Sequence, residues 1–318
     1  MKSIHVIIPC YNEVNGIDAL IAKIDNTIAD LPFHFKYLFV DDGSSDGTFE
    51  HLSGISKERK DIRVLKLSRN FGSHIAVSAG LENSTDCDAI ILLTADLQEP
   101  PELIPELIKK WEEGYEVVFS IREKRSQSFI GKYLSLTFHK LFVKGSGLKN
   151  YPKEGPSGFL LDKKVCKHWC RFKESHRMIV GLIAWMGFKQ TQIYYKQNKR
   201  FAGRSSWNYT KLVKLAIDSF VSFSYAPIRL ITYFGLLISF IGFLYSIILM
   251  IGKIFYGIGP TGWTSIMVLI LFLGGIQLIT LGVLGEYIWR GVDETRNRPL
   301  YLISEKINFN DTDDDETP

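Results

Sequence analysis

Two long uncharged apolar runs, Leu230–Ile251 and Trp263–Gly285, stand near the end of this chain, behind a region patterned as alternating strands and helices. At a rise of about 1.5 Å per residue, either run as a helix covers the ~30 Å hydrocarbon core of a bilayer. One such run could be the core helix of a soluble domain. Two in tandem, each longer than about 18 residues, point to a membrane hairpin. Trp263 and Trp289 flank the second run, where interfacial anchors belong. The connector Gly252–Gly262 holds only Lys253, whereas Lys211, Lys214 and Arg229 precede the first run and Arg290, Arg296 and Arg298 follow the second. This asymmetry predicts a multi-pass inner-membrane protein with both termini and the α/β region on the cytoplasmic face.

With 318 residues, the chain has room for one sizeable soluble domain besides the hairpin. A formal charge of +4 and a pI near 8.7 suit a surface lying against anionic lipid. They exclude a dedicated nucleic-acid binder, which would concentrate its basic residues in a stripe. Cys10, Cys87, Cys166 and Cys170 are scattered and have no histidine at finger spacing, so neither a disulfide framework nor a zinc site is expected. No secretory leader is expected either, because the run Ile4–Ile8 is short and stops at Pro9.

Short β-rich runs at His5–Pro9, Tyr37–Val40, Arg63–Leu67, Ala89–Leu93 and Glu116–Ser120 alternate with helical patterns at Val14–Ala29, Thr48–Ser56, Gly72–Asn83 and Pro101–Glu113. That alternation predicts an α/β, Rossmann-like domain with a mostly parallel sheet, whose ligands gather at the carboxyl ends of the strands. Residues 123–147 are basic and irregular. Trp207–Tyr225 mixes apolar residues with Lys211 and Lys214 and reads as an amphipathic helix in the membrane interface. The organisation expected is an α/β domain over 1–206, juxtamembrane helices over 207–229, a two-helix hairpin over 230–290, and a cytoplasmic tail over 291–318 ending in the acidic run Asp311–Glu316.

Three acidic turns follow predicted strands: Pro9-Cys-Tyr-Asn-Glu13, Asp41-Asp-Gly-Ser-Ser-Asp-Gly-Thr48 and Thr94-Ala-Asp-Leu-Gln98. Asp and Ser are ordinary turn and cap residues, so one such turn alone says little. Three on one edge of one sheet point to a nucleotide site. Asp42 can accept hydrogen bonds from base or ribose, and Asp96 supplies a hard oxygen for a divalent ion. Mg²⁺ needs only one or two carboxylates when substrate phosphates complete its shell. No Gly-x-x-x-x-Gly-Lys-Ser/Thr loop is present, which disfavours a P-loop ATPase.

Together with Ser68-Arg-Asn-Phe-Gly72, Arg200-Phe-Ala-Gly-Arg-Ser-Ser-Trp-Asn208, Phe272-Leu-Gly-Gly-Ile-Gln277 and Leu284-Gly-Glu-Tyr287, these motifs resemble the family 2 inverting glycosyltransferases of the GT-A fold. Within that family the chain is similar to the polyprenyl-phosphate glycosyltransferases, the bactoprenol glucosyltransferases and dolichol-phosphate mannose synthases. The resemblance spans all but the acidic tail. It implies that Pro9, Tyr11, Glu13, Val40 and Asp42 hold the nucleoside, and that Thr94, Ala95, Asp96, Gln98, Arg200 and Arg204 surround the rest of the sugar nucleotide. By the same resemblance, Asp96 and Gln98 face a Mg²⁺ or Mn²⁺ ion, and Arg122, Lys132 and Ser157 meet the acceptor phosphate. Asp96, Arg122 and Arg200 are then the catalytic set, with arginine's planar, always-charged fork suited to phosphate.

Two positions depart from the family pattern: Thr94 stands where the first acid of an Asp-x-Asp pair belongs, and Ser157 where the bactoprenol enzymes carry aspartate. An alcohol acceptor would need a general base there. A lipid monophosphate would not, because its second pKa of ~6 leaves the oxygen anionic near neutrality. The resemblance therefore implies in-line transfer from a nucleotide sugar, UDP-glucose first, to undecaprenyl phosphate. GDP-mannose, UDP-N-acetylglucosamine and UDP-galactose are alternative donors, and a weakly active or non-catalytic sugar-nucleotide-binding homologue is a rival reading. A processive polysaccharide synthase would carry a Gln-x-x-Arg-Trp motif, which is absent. Assembly into a homo-oligomer is left open.

Overall fold

The computed structural model describes residues 1–123, 140, 143, 146–148, 150–152, 155–175, 177–198, 226–256 and 262–309. The chain divides into two compact units. One comprises Met1–Val143, Leu148–Tyr209 and Pro299–Pro318; the other comprises Lys144–Gly147 and Thr210–Arg298.

The first unit is built on a sheet of strands β1 (Ser3–Cys10), β2 (His34–Asp41), β3 (Ile62–Leu67), β4 (Ala89–Leu92), β5 (Val117–Arg122), β6 (Gly158–Asp162), β7 (Gln190–Tyr195) and β8 (Ile303–Ile307), in the spatial order β7-β5-β6-β4-β1-β2-β3-β8. The four strands β3, β2, β1 and β4 run parallel, as does the pair β5–β7. Strand β6 is antiparallel to both β4 and β5, so its start lies at the same edge as their carboxyl ends. This is the mostly parallel α/β architecture expected.

Helices α1 (Ile17–Ile28), α2 (Thr48–Glu58), α3 (Ser73–Glu82) and α4 (Ile104–Glu112) fall on the four predicted helical patterns. α1 buries Ile17, Leu20, Ile21 and Ile24, and α4 buries Ile104, Leu107, Ile108 and Trp111; in both, the spacing gives one apolar face. Five successive residues of β1, Ile4–Ile8, are buried, because helices cover both faces of a parallel sheet. Each fully buried Ile or Leu of this kind contributes about 1.5–3 kcal/mol. α3 lies close on the sheet through Gly80, where a Cβ would stand 2.5 Å from Ile7 Cγ2 and 3.3 Å from Val40 Cγ2. Short helices α5 (Lys163–Trp169) and α6 (Ile179–Trp185) follow β6.

Strands β6, β7 and β8 have no counterpart in the sequence reading, and β8 corrects it. Residues assigned to a cytoplasmic tail return to the sheet, where Ile303–Ile307 pairs antiparallel with β3. Asn308 Nδ2 then donates to the carbonyls of Ser56, Arg59 and Ile62 at 2.7, 3.3 and 2.7 Å. The α/β unit is therefore not contiguous over 1–206.

In the second unit, the two apolar runs form helices α7 (Ala226–Tyr256) and α8 (Trp263–Thr295). Large apolar side chains such as Phe234, Leu236, Phe240, Leu278 and Leu281 are more than half exposed. Among the described residues, one stretch, Phe272–Thr295 of α8, is long and apolar enough to cross a membrane; the apolar stretch of α7, Ile231–Tyr245, is shorter. The predicted interfacial helix over 207–225 and the acidic tail over 311–316 lie outside the described residues.

Candidate active site

The carboxyl ends of β1, β2, β4, β5 and β7 and the start of β6 share one edge, and the predicted site residues that are described sit on it. Four buried polar atoms on this edge have no hydrogen-bond partner in the protein: Asp41 Oδ1 after β2, Thr94 Oγ1 and Glu99 Oε2 after β4, and Arg122 Nε at the end of β5. Buried polar groups are nearly always paired, so this concentration marks a surface built for a ligand.

The loops after β1 and β2 are laced together. Asn12 N donates to Ser44 Oγ (2.9 Å), Glu13 N to Thr48 Oγ1 (3.0 Å), Val14 N to Asp46 Oδ2 (3.3 Å) and Ser45 N to Asn12 Oδ1 (2.9 Å). Thr48 hydrogen bonds hold the Asp46 carboxyl below its ordinary pKa, against the opposing effect of partial burial. Tyr11 projects from this lacing with 47% of its surface exposed, a free ring face at the mouth of the edge. Asn12, at φ 57°, takes the left-handed conformation that asparagine tolerates.

The two family motifs at β2 and β3 lock each other. Asp42 is 3% exposed and accepts from Phe71 N at 2.7 Å and Gly72 N at 2.9 Å, one bond to each oxygen. Gly43 has φ +70°, and a Cβ there would stand 2.6 Å from the carbonyl carbon of Arg69. Only glycine fits both demands. Burial raises the Asp42 pKa against the pull of those two N–H groups, and burial likewise raises Asp41. Asp42 thus has a task the sequence did not reveal: it fixes the Phe71–Gly72 turn that opens α3. Val40 borders the edge in a different way from its neighbours. It is fully buried with its side chain under α3, so only its backbone borders the edge.

After β4, Asp96 is half-buried and accepts from Gln98 N at 3.2 Å, while Ala95 is buried beneath the turn. Leu97 holds φ 56°, unusual for a bulky residue and costing of order 1 kcal/mol. Gln98 Oε1 accepts from Gln197 Nε2 at 2.7 Å, and Gln98 O accepts from Asn198 N at 3.1 Å, which brings the end of the segment after β7 to the Asp96 turn. Pro9 is half-buried at the end of β1. Arg200, Arg204 and Lys132 lie outside the described residues.

Three residues missed by sequence reasoning, Glu99, Ser120 and Tyr195, complete the edge on the β5 side. Glu99 is 1% exposed. Ser120 Oγ donates to its Oε1 and accepts from Gly158 N at 2.9 Å. Burial pushes the Glu99 carboxyl up to about 7, the Ser120 bond and Arg122 opposing and Asp96 adding to the rise. A Cβ on Gly158 would meet Glu99 Oε2 and Leu92 O, each at 2.6 Å, so the Ser157–Gly158 turn depends on glycine. Ser157 N donates to Ser120 O at 3.0 Å. Tyr195, 4% exposed, stands opposite Arg122 in the β5–β7 register; burial raises its phenol pKa, with Glu99 adding to the rise and the side chains of Ser157 and Arg122 opposing it. The signals that could have exposed this group were the Glu99 carboxyl directly before Pro100-Pro101 and the glycine after Ser157.

Residues 5–169 match the family described as Glycosyl transferase family 2. The chain belongs to that family. It is 38% identical over 301 residues to the uncharacterized glycosyltransferase sll0501 of Synechocystis sp., covering 94% of each, and 38% identical over 305 residues to the uncharacterized glycosyltransferase YkcC of Bacillus subtilis, covering 96% of this chain and 94% of that one. It is 35% identical over 304 residues to the bactoprenol glucosyl transferase of Shigella phage SfX, covering 95% of this chain and 99% of the relative. Among solved structures, a glucosyl-3-phosphoglycerate synthase of Mycobacterium tuberculosis, crystallised with Mn²⁺, UDP and phosphoglyceric acid, is similar at a TM-score of 0.49 and 15% identity, over 69% of this chain and 76% of that one. The chain is a glycosyltransferase, and the edge just described is where its motifs after β1, β2, β3 and β4 converge.

Proposed function

We propose that this glycosyltransferase moves a sugar from a nucleoside diphosphate, UDP-glucose first among donors, to polyprenyl phosphate with inversion. The reaction takes place at the cytoplasmic face of a membrane that α7 and α8 cross as a hairpin. The observation that carries this reading is the edge itself. It places a laced nucleotide-type surface (Tyr11, Glu13, the Asp42-fixed turn) and an arginine with an unsatisfied buried N–H (Arg122) on opposite sides of Asp96. The bactoprenol relative supports a lipid-phosphate acceptor, and the apolar helices support its location.

Tyr11 offers its ring to the base, and the Pro9–Glu13 and Asp41–Thr48 loops line the nucleoside. Arg122 and Ser157, with Lys132, receive the acceptor phosphate, and Arg200 and Arg204 the departing diphosphate. The acceptor oxygen is already anionic near pH 7, so no residue has to remove its proton. Ser157 in place of an aspartate is consistent with that. Preorganised positive charge beside both phosphates is the main source of rate in such a site.

The residues present fit a divalent ion of the Mg²⁺ or Mn²⁺ kind. Asp96 offers one hard carboxylate, Gln98 an amide oxygen, and the buried Thr94 Oγ1 has no partner inside the protein. That is a sparse set, suited to an ion whose shell is completed by the donor's phosphates. When bound, it would neutralise charge on the leaving diphosphate. The test is transfer from UDP-glucose, UDP-N-acetylglucosamine, UDP-galactose and GDP-mannose to undecaprenyl phosphate by full-length protein. Label is expected in lipid phosphate with at least one donor, and Asp96→Asn is expected to lower that rate by 10²-fold or more, on the order of one lost electrostatic stabiliser. Unchanged transfer by Asp96→Asn would refute the assignment.

A further inference from the structure

We propose that Tyr195 is a positioning residue of the acceptor site, its buried phenol at the end of β7 holding the Arg122 guanidinium and the Ser157 hydroxyl as one cradle for an anionic phosphate. This inference rests on the functional reading above and adds a residue to it.

The geometry separates the two ends of this side chain. The ring packs in the hydrophobic core with Ile193 and Val118, leaving Tyr195 4% exposed. Its place at the end of β7, register partner of Arg122 at the end of β5, brings the hydroxyl end toward the polar edge, where Ser157 and Arg122 both oppose the burial-driven rise of the phenol pKa. A residue serving only the core would be filled equally well by phenylalanine. Backbone bonds hold the three parts in register. Tyr195 O accepts from Glu123 N at 2.8 Å, Ser157 N donates to Ser120 O at 3.0 Å, and Arg122 and Tyr195 are register partners.

What remains unsatisfied then identifies the ligand class. Arg122 is half-buried beside its register partner Tyr195, and its Nε–H is buried without a partner. The carboxylate nearest in kind, Glu99, is engaged by Ser120 and does not pair with Arg122 directly. A half-buried guanidinium with a spare N–H, near a serine hydroxyl, matches an oxyanion that accepts from several donors at once. A neutral alcohol would accept at one atom and leave most of the cradle unused. Tyr195 therefore selects for the phosphate of the acceptor by fixing Arg122 rather than by touching the reacting atoms.

The experiment is a binding titration with full-length protein in phospholipid nanodiscs, comparing undecaprenyl phosphate with undecaprenol by quenching of tryptophan fluorescence. It needs no knowledge of the donor. Wild type is expected to prefer the phosphate. Tyr195→Phe should cut affinity for the phosphate roughly tenfold, the scale of one hydrogen bond to a charged group, with affinity for undecaprenol and for UDP unchanged. Arg122→Gln should cut it further, and the double variant should be no worse than Arg122→Gln alone, because the phenol acts through the guanidinium. Ser157→Ala offers a second, milder variant with the same direction. A Tyr195→Phe protein that keeps the wild-type preference, or losses that multiply in the double variant, would overturn the role of Tyr195 alone. A wild type that binds phosphate and alcohol equally would overturn the functional reading and this inference with it.

Discussion

At the scale of single residues, the site depends on side chains holding backbone in place. Asp42 illustrates this. Its two oxygens each accept from a backbone N–H of the Phe71–Gly72 turn, and an amide would set an NH₂ group against one of those N–H donors. Asp42→Asn is expected to lower stability by about 2 kcal/mol and to weaken sugar-nucleotide binding, read by a melting curve and by UDP titration. Full stability in Asp42→Asn would show that the turn is held by other means. A second residue-scale prediction concerns pH and lies away from the site. His5 in β1 is 1% exposed, and burial lowers its pKa from 6.5 to about 4, with Arg63 and Lys36 adding to the effect and Asp86 opposing it. The folded state therefore keeps His5 neutral where the unfolded chain would be protonated. This contribution to stability is complete above pH 6.5 and is lost as pH falls toward 4, up to about 3 kcal/mol. Melting midpoints from pH 7 to pH 4 should fall more steeply for wild type than for His5→Gln, which carries no titrating group. Parallel curves would remove His5 as the cause.

At the scale of elements, β8 is the feature that most changes the picture. It covers the outer edge of β3, with Lys66 paired to Glu305 at 3.3 Å, and Asn308 closes the end of α2 with three carbonyl contacts. Replacing Asn308 by Ala would leave those carbonyls to water or unpaired, costing about 1–3 kcal/mol in melting measurements. The central parallel strands were legible in the sequence because each is buried on both faces and reads as an apolar run, as in Ile4–Ile8 and Ala89–Leu92. Their acidic carboxyl ends followed directly. β7 and β8 were not legible, since edge strands such as Gln190–Tyr195 and Ile303–Ile307 each hold three successive polar residues and carry no long apolar run. β6 was hidden for a different reason: the sequence drew attention to the Ser157 side chain just before it and not to the strand that follows. Glu99 and Tyr195 were missed because their significance comes from partners far away in sequence, Ser120, Ser157 and Arg122, brought together only by the strand order.

At the scale of the whole molecule, the order of segments along the chain makes the α/β unit discontinuous, with the two long apolar helices encoded within it. The strand that completes the sheet at β3 is encoded after α8, so the α/β unit is assembled from both sides of the helical segment. A chain that stops at residue 206 would leave β3 as a bare edge and expose a row of unpaired backbone groups, a template for aggregation. It would also lose Tyr301, whose hydroxyl donates to Glu82 Oε2 at 2.7 Å and thereby ties the segment leading into β8 to the end of α3. Joining residue 198 to residue 299 through a flexible Gly/Ser linker, and ending at Phe309, would restore both. The linked chain is therefore expected to be monodisperse and to melt cooperatively, whereas the chain ending at 206 should aggregate or melt at a lower temperature by an amount equivalent to about 2–4 kcal/mol. The two chains differ chiefly in whether the returning segment with Tyr301 and β8 is present, and both lack the helices, so a difference between them reports on that segment. Equal behaviour in gel filtration and calorimetry would mean that the returning strand contributes little and that the sheet is complete without it. The expected difference would instead identify the helical segment as an insertion into a folded unit, because the chain leaves and re-enters the same sheet.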